Sequence, residues 1–395
     1  MNWLQQILSI SAMNLRSVPA RLGSSMVIIV GIAGVVTVLV ALLAMARGFE
    51  STLGSTGKAD RIIVMRGGST NEMSSGMASE VSNMIAEKPG IAHDGEGALV
   101  AGETYIIADI RKRGNDSEAN LPMRGVTPKS MRIRDEVRII AGRDLQPGKW
   151  EMIAGRGAAN QFEGLDIGNE IRVRDGNWRV VGIFSSAGNV YESEAWVDNA
   201  MLQANINRQG GISSVIAKLK SIDHFSQLEK ALEEDPRLET MIVRENDYYA
   251  EQSTGLTQLI NQFGYLVAVI MAIGAIFGAL NSMYSAVSVR SVEIATLRAL
   301  GFGAWPVVVS VMLEAMLLAL VGGIVGAAVA YVIFNGYTVS TLNNTTFSQV
   351  AFDFAVTMDL MQKGIVWSCL LGLIGGLLPA IRAARQPITV ALRGL

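Results

Sequence analysis

SVRSVEIATLRALGFGAWP, residues 288–306, lies between two long apolar runs and is itself polar and helical in pattern. Val289 and Val292, Ile294 and Leu297, and Leu297 and Leu300 recur at three-residue spacing, which makes one side of a helix apolar. Arg290 and Glu293 are close enough on that helix for a surface pair. Gly301 stands where a helix C-cap belongs, and Pro306 suits the first turn of the following helix. Such a segment is expected to be a short amphipathic helix at a membrane surface, turning the chain between two spans.

The rest of the chain supports that frame. Half of the 395 residues are hydrophobic and only 17% are charged, too apolar a composition for an ordinary soluble protein of this size. Four runs are long and apolar enough to cross about 30 Å of hydrocarbon: residues 24–46, 256–280, 306–334 and 364–381. Ala44-Met45-Ala46 resembles a secretory cleavage site, but the run before it is longer than the roughly 7–15 residues of a signal, so an uncleaved first span is expected. Between Arg47 and Glu251 lie 25 of the 33 basic and 31 of the 35 acidic residues, which predicts a large soluble domain over 47–255, inserted between spans one and two. Cys369, the one cysteine, excludes an intrachain disulfide and reads as a lipid-facing or packing residue.

Orientation follows from the bases beside the spans. Arg16 and Arg21 in segment 1–23, Arg290 and Arg298 in segment 281–305, and Arg382, Arg385 and Arg393 in tail 382–395 share one side, with Glu293 their only acid. The connection 335–363 carries Asp353, Asp359 and a single Lys363. Both termini are therefore expected in the cytoplasm, the large domain outside, and the 281–305 loop inside.

In the outer domain, RIIVMRGG, ALVAGETYIIADI, NEIRVRDGNWRVVGIF and SSVIAKLK read as strands, with RDGN as a hairpin turn. Helices are expected at Met77–Glu87 and Phe225–Glu234, giving an α+β domain, two-lobed at about 200 residues. IRKRGNDSEANLP reads as an exposed loop. The acids are interspersed with bases as on a solvated face, and the two histidines, His93 and His224, lie far apart without a catalytic or metal-binding motif. No catalytic residue, metal site or cofactor site is therefore expected. From Asn246, the residues Tyr249, Leu256, Leu259, Ile260 and Phe263 keep a helical stripe into span two, with no clear stop before Leu280, predicting a rod of about 50 Å. The competing expectation is unwinding near Ser253-Thr254-Gly255.

Within the spans, Glu314 is the one formal acid and calls for a partner, sought at Asn281 or Ser282. Gly322, Gly323 and Gly326, and again Gly372, Gly375 and Gly376, make small-residue faces that allow close helix packing within the subunit or across a dimer. Trp3, Leu4, Ile7, Leu8 and Leu15 predict an amphipathic helix along the inner surface before Pro19.

RSVEIATLRALGFG, MLEAMLLALVGGIVGAAVAY and LPAIRAARQPITVAL, together with NLRSVPARLGSSMVIIVGIAG, resemble the permease domain of the MacB, LolC/LolE and FtsX transporters, the type VII ABC superfamily. GRDLQPGKWEMIAGRGAANQFEGLDIGNEIRVRDGNWRVVGIF is similar to the MacB-like periplasmic core domain. The resemblance implies a multi-pass protein of the bacterial inner membrane: a four-span α-helical bundle with a large α+β periplasmic domain between spans one and two. It makes Arg290, Glu293, Ile294, Leu297, Arg298, Leu300 and Gly301 the coupling helix that docks on an ATPase, so a charge at Leu297 is expected to break that docking. No G-x-x-x-x-G-K-[ST] loop is present, so ATP and Mg are expected in a separate ATPase subunit, two copies serving a permease homodimer. The implied work is mechanotransmission for efflux, with a periplasmic fusion protein and an outer-membrane channel. Lipoprotein release, or FtsX-like control of a periplasmic hydrolase, are the alternatives. Membrane lipids surround the chain, and no nucleic-acid partner is expected.

Overall fold

The structure is a computed structural model that describes residues 3–17, 22–114, 117–343 and 345–389. Pro19, Arg21 and Arg393, and the side chains of Trp3, Leu4, Leu15 and Arg16, lie outside the described residues. In chain order the helices are α1 (Trp3–Ser17), α2 (Leu22–Gly54), α3 (Glu80–Ala86), α4 (Pro128–Ile133), α5 (Arg156–Gln161), α6 (Asn199–Asn205), α7 (Phe225–Glu233), α8 (Glu245–Val289), α9 (Ser291–Ala299), α10 (Ala304–Phe334) and α11 (Met358–Arg385). Of these, α2, α8, α10 and α11 are long and apolar enough to cross a membrane.

Each of the four outruns the apolar stretch that announced it. Hydrophobicity marks only the part of a helix facing lipid, whereas backbone hydrogen bonding carries the helix on into polar surroundings. Thus α8 is unbroken through Ser253-Thr254-Gly255 and has 45 residues, about 68 Å at 1.5 Å per residue. Ser253 and Thr254 turn their hydroxyls onto the Ala250 carbonyl, so neither competes for a non-helical backbone there.

The chain divides into two compact units: Met1–Arg47 with Gln258–Tyr337 and Phe354–Leu395, and Gly48–Thr257 with Thr338–Asp353. The second division corrects the expected 47–255 limits. Connection 335–363 holds a hairpin of strands Thr338–Leu342 and Gln349–Asp353, and it belongs with the outer domain. Phe352 packs edge-on to Phe49, Asn71 Nδ2 donates to the Thr345 carbonyl at 2.8 Å, and Ala351 N donates to Ser193 Oγ at 2.9 Å.

In the membrane unit, Ile32, Val36, Leu39 and Val40 of α2 pack with Ala315 and Ala319 of α10, Ala380 and Ala383 of α11, and Met283 and Val287 of α8. The six glycines set how closely these helices approach. A Cβ on Gly326 would lie 2.5 Å from the Ala33 carbonyl, one on Gly322 2.9 Å from the Ile29 carbonyl, and one on Gly376 2.6 Å from Ala315 Cβ. Added carbons on Gly323 and Gly372 would overlap Ser368 and Ala319, and one on Gly375 would press on Ala279. Both glycine sets therefore serve packing inside this subunit, where dispersion between close backbones replaces the hydrophobic effect. Cys369 is half-buried. On α1, Leu8 is exposed while Ile10 is buried in the bundle core.

The outer domain is built on a ten-stranded sheet. Strand Arg61–Arg66 has neighbours on both edges, Ser214–Lys218 and Thr240–Arg244, and both its faces are covered; hence its near-continuous apolar run rather than alternation. Strand Val100–Arg111 bridges the two halves: Val100–Glu103 pair with Ser214–Ala217, and Thr104–Arg111 with Glu118–Gly125. One apolar core gathers Val64, Val215, Leu228 and α3, the other Leu121, Phe162, Trp178 and Val180. A smaller cluster of Leu99, Ala101, Ile133 and Ile216 accompanies these two on the same sheet. The RDGN turn closes strands Glu170–Val173 and Gly176–Ser185, with Arg174 at φ 52°.

Candidate functional site

The segment expected to be a coupling helix begins where α8 stops at Val289. Arg290, with ψ near 7°, is the single residue between α8 and α9, and its N–H still bonds the Val287 carbonyl at 3.2 Å. Its side chain turns inward: Arg290 Nη1 donates to Glu314 Oε2 on α10 at 3.0 Å, both side chains less than a tenth exposed. This corrects the expected surface pair of Arg290 with Glu293. Where the sequence pointed to Asn281 or Ser282 for Glu314, the fold brings a base from the joint 24 positions earlier in the chain.

The apolar side of α9 also faces the bundle. Ile294 is buried and Leu297 packs against the same core as Met283 and Val311. Arg298 Nη1 donates to the Gln386 carbonyl at 2.9 Å. Exposed instead are Glu293, Thr296, Ala299 and Leu300, with Trp305 beyond them. A charge at Leu297 would therefore disturb the bundle itself, and Leu300 is the better probe of a docking surface. Gly301 at φ 95° ends α9: its N–H bonds the Arg298 carbonyl and that of Phe302 bonds the Leu297 carbonyl, the paired bonds of a Schellman motif.

A second constellation was not anticipated. Four carboxylates, Glu72, Glu103, Glu194 and Glu245, and three guanidiniums, Arg61, Arg124 and Arg134, are almost wholly buried in the outer domain. This corrects the reading of those charges as a solvated face. Arg124 forks onto Glu194 through Nε and Nη2 at 2.8 and 2.9 Å, and onto Glu72 through Nη1 and Nη2 at 2.7 and 2.9 Å, while its Nη1 also reaches Glu103 at 3.0 Å. Arg134 Nη2 donates to Glu103 at 2.8 Å and its guanidinium lies over the Tyr191 ring. Glu245, the first residue of α8, accepts from Arg61 Nε at 2.6 Å, from the Tyr191 hydroxyl and from the Lys58 N–H.

The network lies where strand Val100–Arg111 changes partners, with Glu103 opposite Ser214 and Tyr105 opposite Arg124. Burial alone would raise the Glu103 carboxyl, but Arg134 and Arg124 outweigh it and hold the group at about 2. Burial likewise works to lower Arg124, and Glu194 and Glu72 raise it well above the ordinary range. Burial pushes the Tyr191 hydroxyl up, so it remains a proton donor. Spacing carried no signal for this cluster, because its seven members come from seven separate segments. A faint signal was the placement of Glu103 and Arg124 beside the apolar stretches of their strands. Among the described residues no three His, Cys, Asp or Glu side chains could together hold a metal ion; His93 is exposed and His224 half-buried.

Four apolar helices, an α+β domain between the first two and a short helix presented between the second and third define a polytopic permease subunit. Residues 25–235 match the MacB-like periplasmic core domain and residues 265–388 the FtsX-like permease C-terminal domain. The chain belongs to the MacB/LolC/FtsX-like, type VII family of ABC transporter permeases. It is 26% identical to the lipoprotein-releasing system transmembrane protein LolC of Xylella fastidiosa (strain 9a5c), over 93% of each chain. It is 22% identical to the ABC transporter permease YknZ of Bacillus subtilis (strain 168), over 98% of this chain and 96% of that one. Similarity to the macrolide export ATP-binding/permease protein MacB of Salmonella paratyphi A is 26%, over 54% of this chain but only 33% of the larger one. Among solved structures, the extracellular domain of YknZ from Gram-positive bacteria aligns with a TM-score of 0.36 at 15% identity, covering 47% of this chain and 100% of that one. Membership implies an ATPase partner, and this sequence carries no phosphate-binding loop of its own.

Proposed function

We propose that the chain works by mechanotransmission: an ATPase subunit docks on α9, and its nucleotide-driven closure is passed through the span helices to the outer domain. The observation that carries this reading is the presentation of Glu293, Thr296 and Leu300 outward, on a helix whose other side is seated on the bundle by Ile294 and Leu297. A short helix held on one side and bare on the other can be pushed as a solid body. The unbroken α8 supplies one covalent route from this joint to Glu245. In this reading both termini are cytoplasmic in the bacterial inner membrane, two permease copies pair with two ATPase copies, and ATP and Mg reside in the ATPase.

The preferred outcome of the motion is efflux through a periplasmic fusion protein and an outer-membrane channel, as the MacB-like core domain suggests. Lipoprotein release is the second reading, favoured by similarity to LolC along nearly the whole of both chains. Leu300→Asp is expected to abolish co-purification with the ATPase while the permease inserts normally. Full retention of the complex would remove α9 as the docking element. Capture of a fusion protein by the outer domain supports efflux, and capture of a lipoprotein chaperone supports release.

A further inference from the structure

The two ends of α9 are built differently. At its end toward α10, the covalent link runs through Leu300 to Gly303, with Gly301 in a left-handed conformation and a second glycine immediately before Ala304. The two glycines lower the backbone's own resistance to rotation there, although the Schellman bonds hold Gly301 and Phe302. At its beginning, one non-helical residue separates α9 from α8, and that residue, Arg290, is tied to the first half of the buried face of α10 through Glu314. Ile294 and Leu297 add apolar contacts, which are not directional and tolerate sliding. The ion pair is directional, both its side chains are less than a tenth exposed, and Met283, Val287, Ile294, Val307 and Val311 line the small cavity beside it. With so little of either side chain open to solvent, the attraction within the pair is screened less than that of a surface pair.

We propose that Arg290 and Glu314 are positioning residues that make the start of the coupling helix and the third span move as one body. Force applied to the outward face of α9 is then delivered to α10 rather than lost at the two-glycine turn. The inference rests on the reading that an ATPase docks on α9, and adds a path and two residues to it.

The test uses the full chain in lipid nanodiscs with its ATPase subunit, in a Cys369→Ser background, spin-labelled at Ser291, a half-buried position at the start of α9 outside the outward face, and at Val332, an exposed position near the far end of α10. In the otherwise unaltered protein the distance distribution between the labels is expected to be the same without nucleotide and after trapping with ATP and vanadate. In Glu314→Gln the distribution is expected to shift and broaden on trapping while ATP hydrolysis continues, and Glu314→Asp, which keeps the charge, restores the unaltered behaviour. If Glu314→Gln fails to insert, Arg290→Gln is read in the same way. A distance that changes on trapping with the pair intact, or one that stays fixed when the pair is neutralised, overturns the proposal. Failure of the unaltered permease to retain the ATPase would instead overturn the docking reading, and is seen at purification before any distance is measured.

Discussion

Arg124 in the outer domain reaches three carboxylates, Glu72, Glu103 and Glu194, whereas in the membrane unit Arg290 reaches Glu314 across a single helix joint. Both sets are hidden from solvent, yet they have different consequences. The outer network joins strands, loops and the first residue of α8 into one electrostatic unit, so its loss would be felt throughout the domain. The membrane pair fixes one helix against another, and the bundle around it is held by glycine and alanine contacts that need no charge. Polar burial thus makes the outer domain cooperative, while in the membrane it ties one helix joint to one span.

The largest effect that could break this contrast is expected at Arg124. Arg124→Met leaves three buried carboxylates short of their shared partner, and the outer domain should lose about 3–5 kcal/mol of stability. Thermal unfolding of the full chain in detergent, followed by protease resistance of the outer domain, checks this. A loss below about 1 kcal/mol would mean that the network is dispensable.

Acid should act on the same network. Glu103 moves from an ordinary value of 4.5 down to about 2 on folding, so its contribution is present above pH 4.5 and is lost as the pH falls toward 2. That contribution is of order 3 kcal/mol. Fluorescence of the fully buried Trp178 and Trp196 should report loosening of the domain within that window, and an unchanged spectrum at pH 2 would contradict it.

A smaller effect is expected in the membrane unit, and it sharpens the comparison because no charge is involved. Gly326→Ala pushes a carbon against the Ala33 backbone and should cost roughly 1–3 kcal/mol, read as a lowered unfolding midpoint in detergent. Gly278→Ala on α8 meets nothing within 4 Å and should be neutral or slightly stabilising. Equal effects at the two positions would remove the packing role assigned to the glycines.

What the sequence by itself determined is the frame: four spans, the soluble insert, the amphipathic joint with its Gly301 stop, and the absence of a phosphate-binding loop. These are one-dimensional properties, set by runs of apolar residues and by local backbone preferences at Gly301, Pro306 and the RDGN turn. The tertiary structure alone decided which side of α9 faces outward, that Arg290 meets Glu314, that the glycines pack within one subunit, and that hairpin 338–353 joins the outer domain. It alone assembled Arg61, Arg124 and Arg134 with Glu72, Glu103, Glu194 and Glu245. The physical reason is range: apolar periodicity acts between neighbours a few positions apart, whereas a buried ion pair is chosen by whichever distant segment the fold brings within 3 Å, once water is gone.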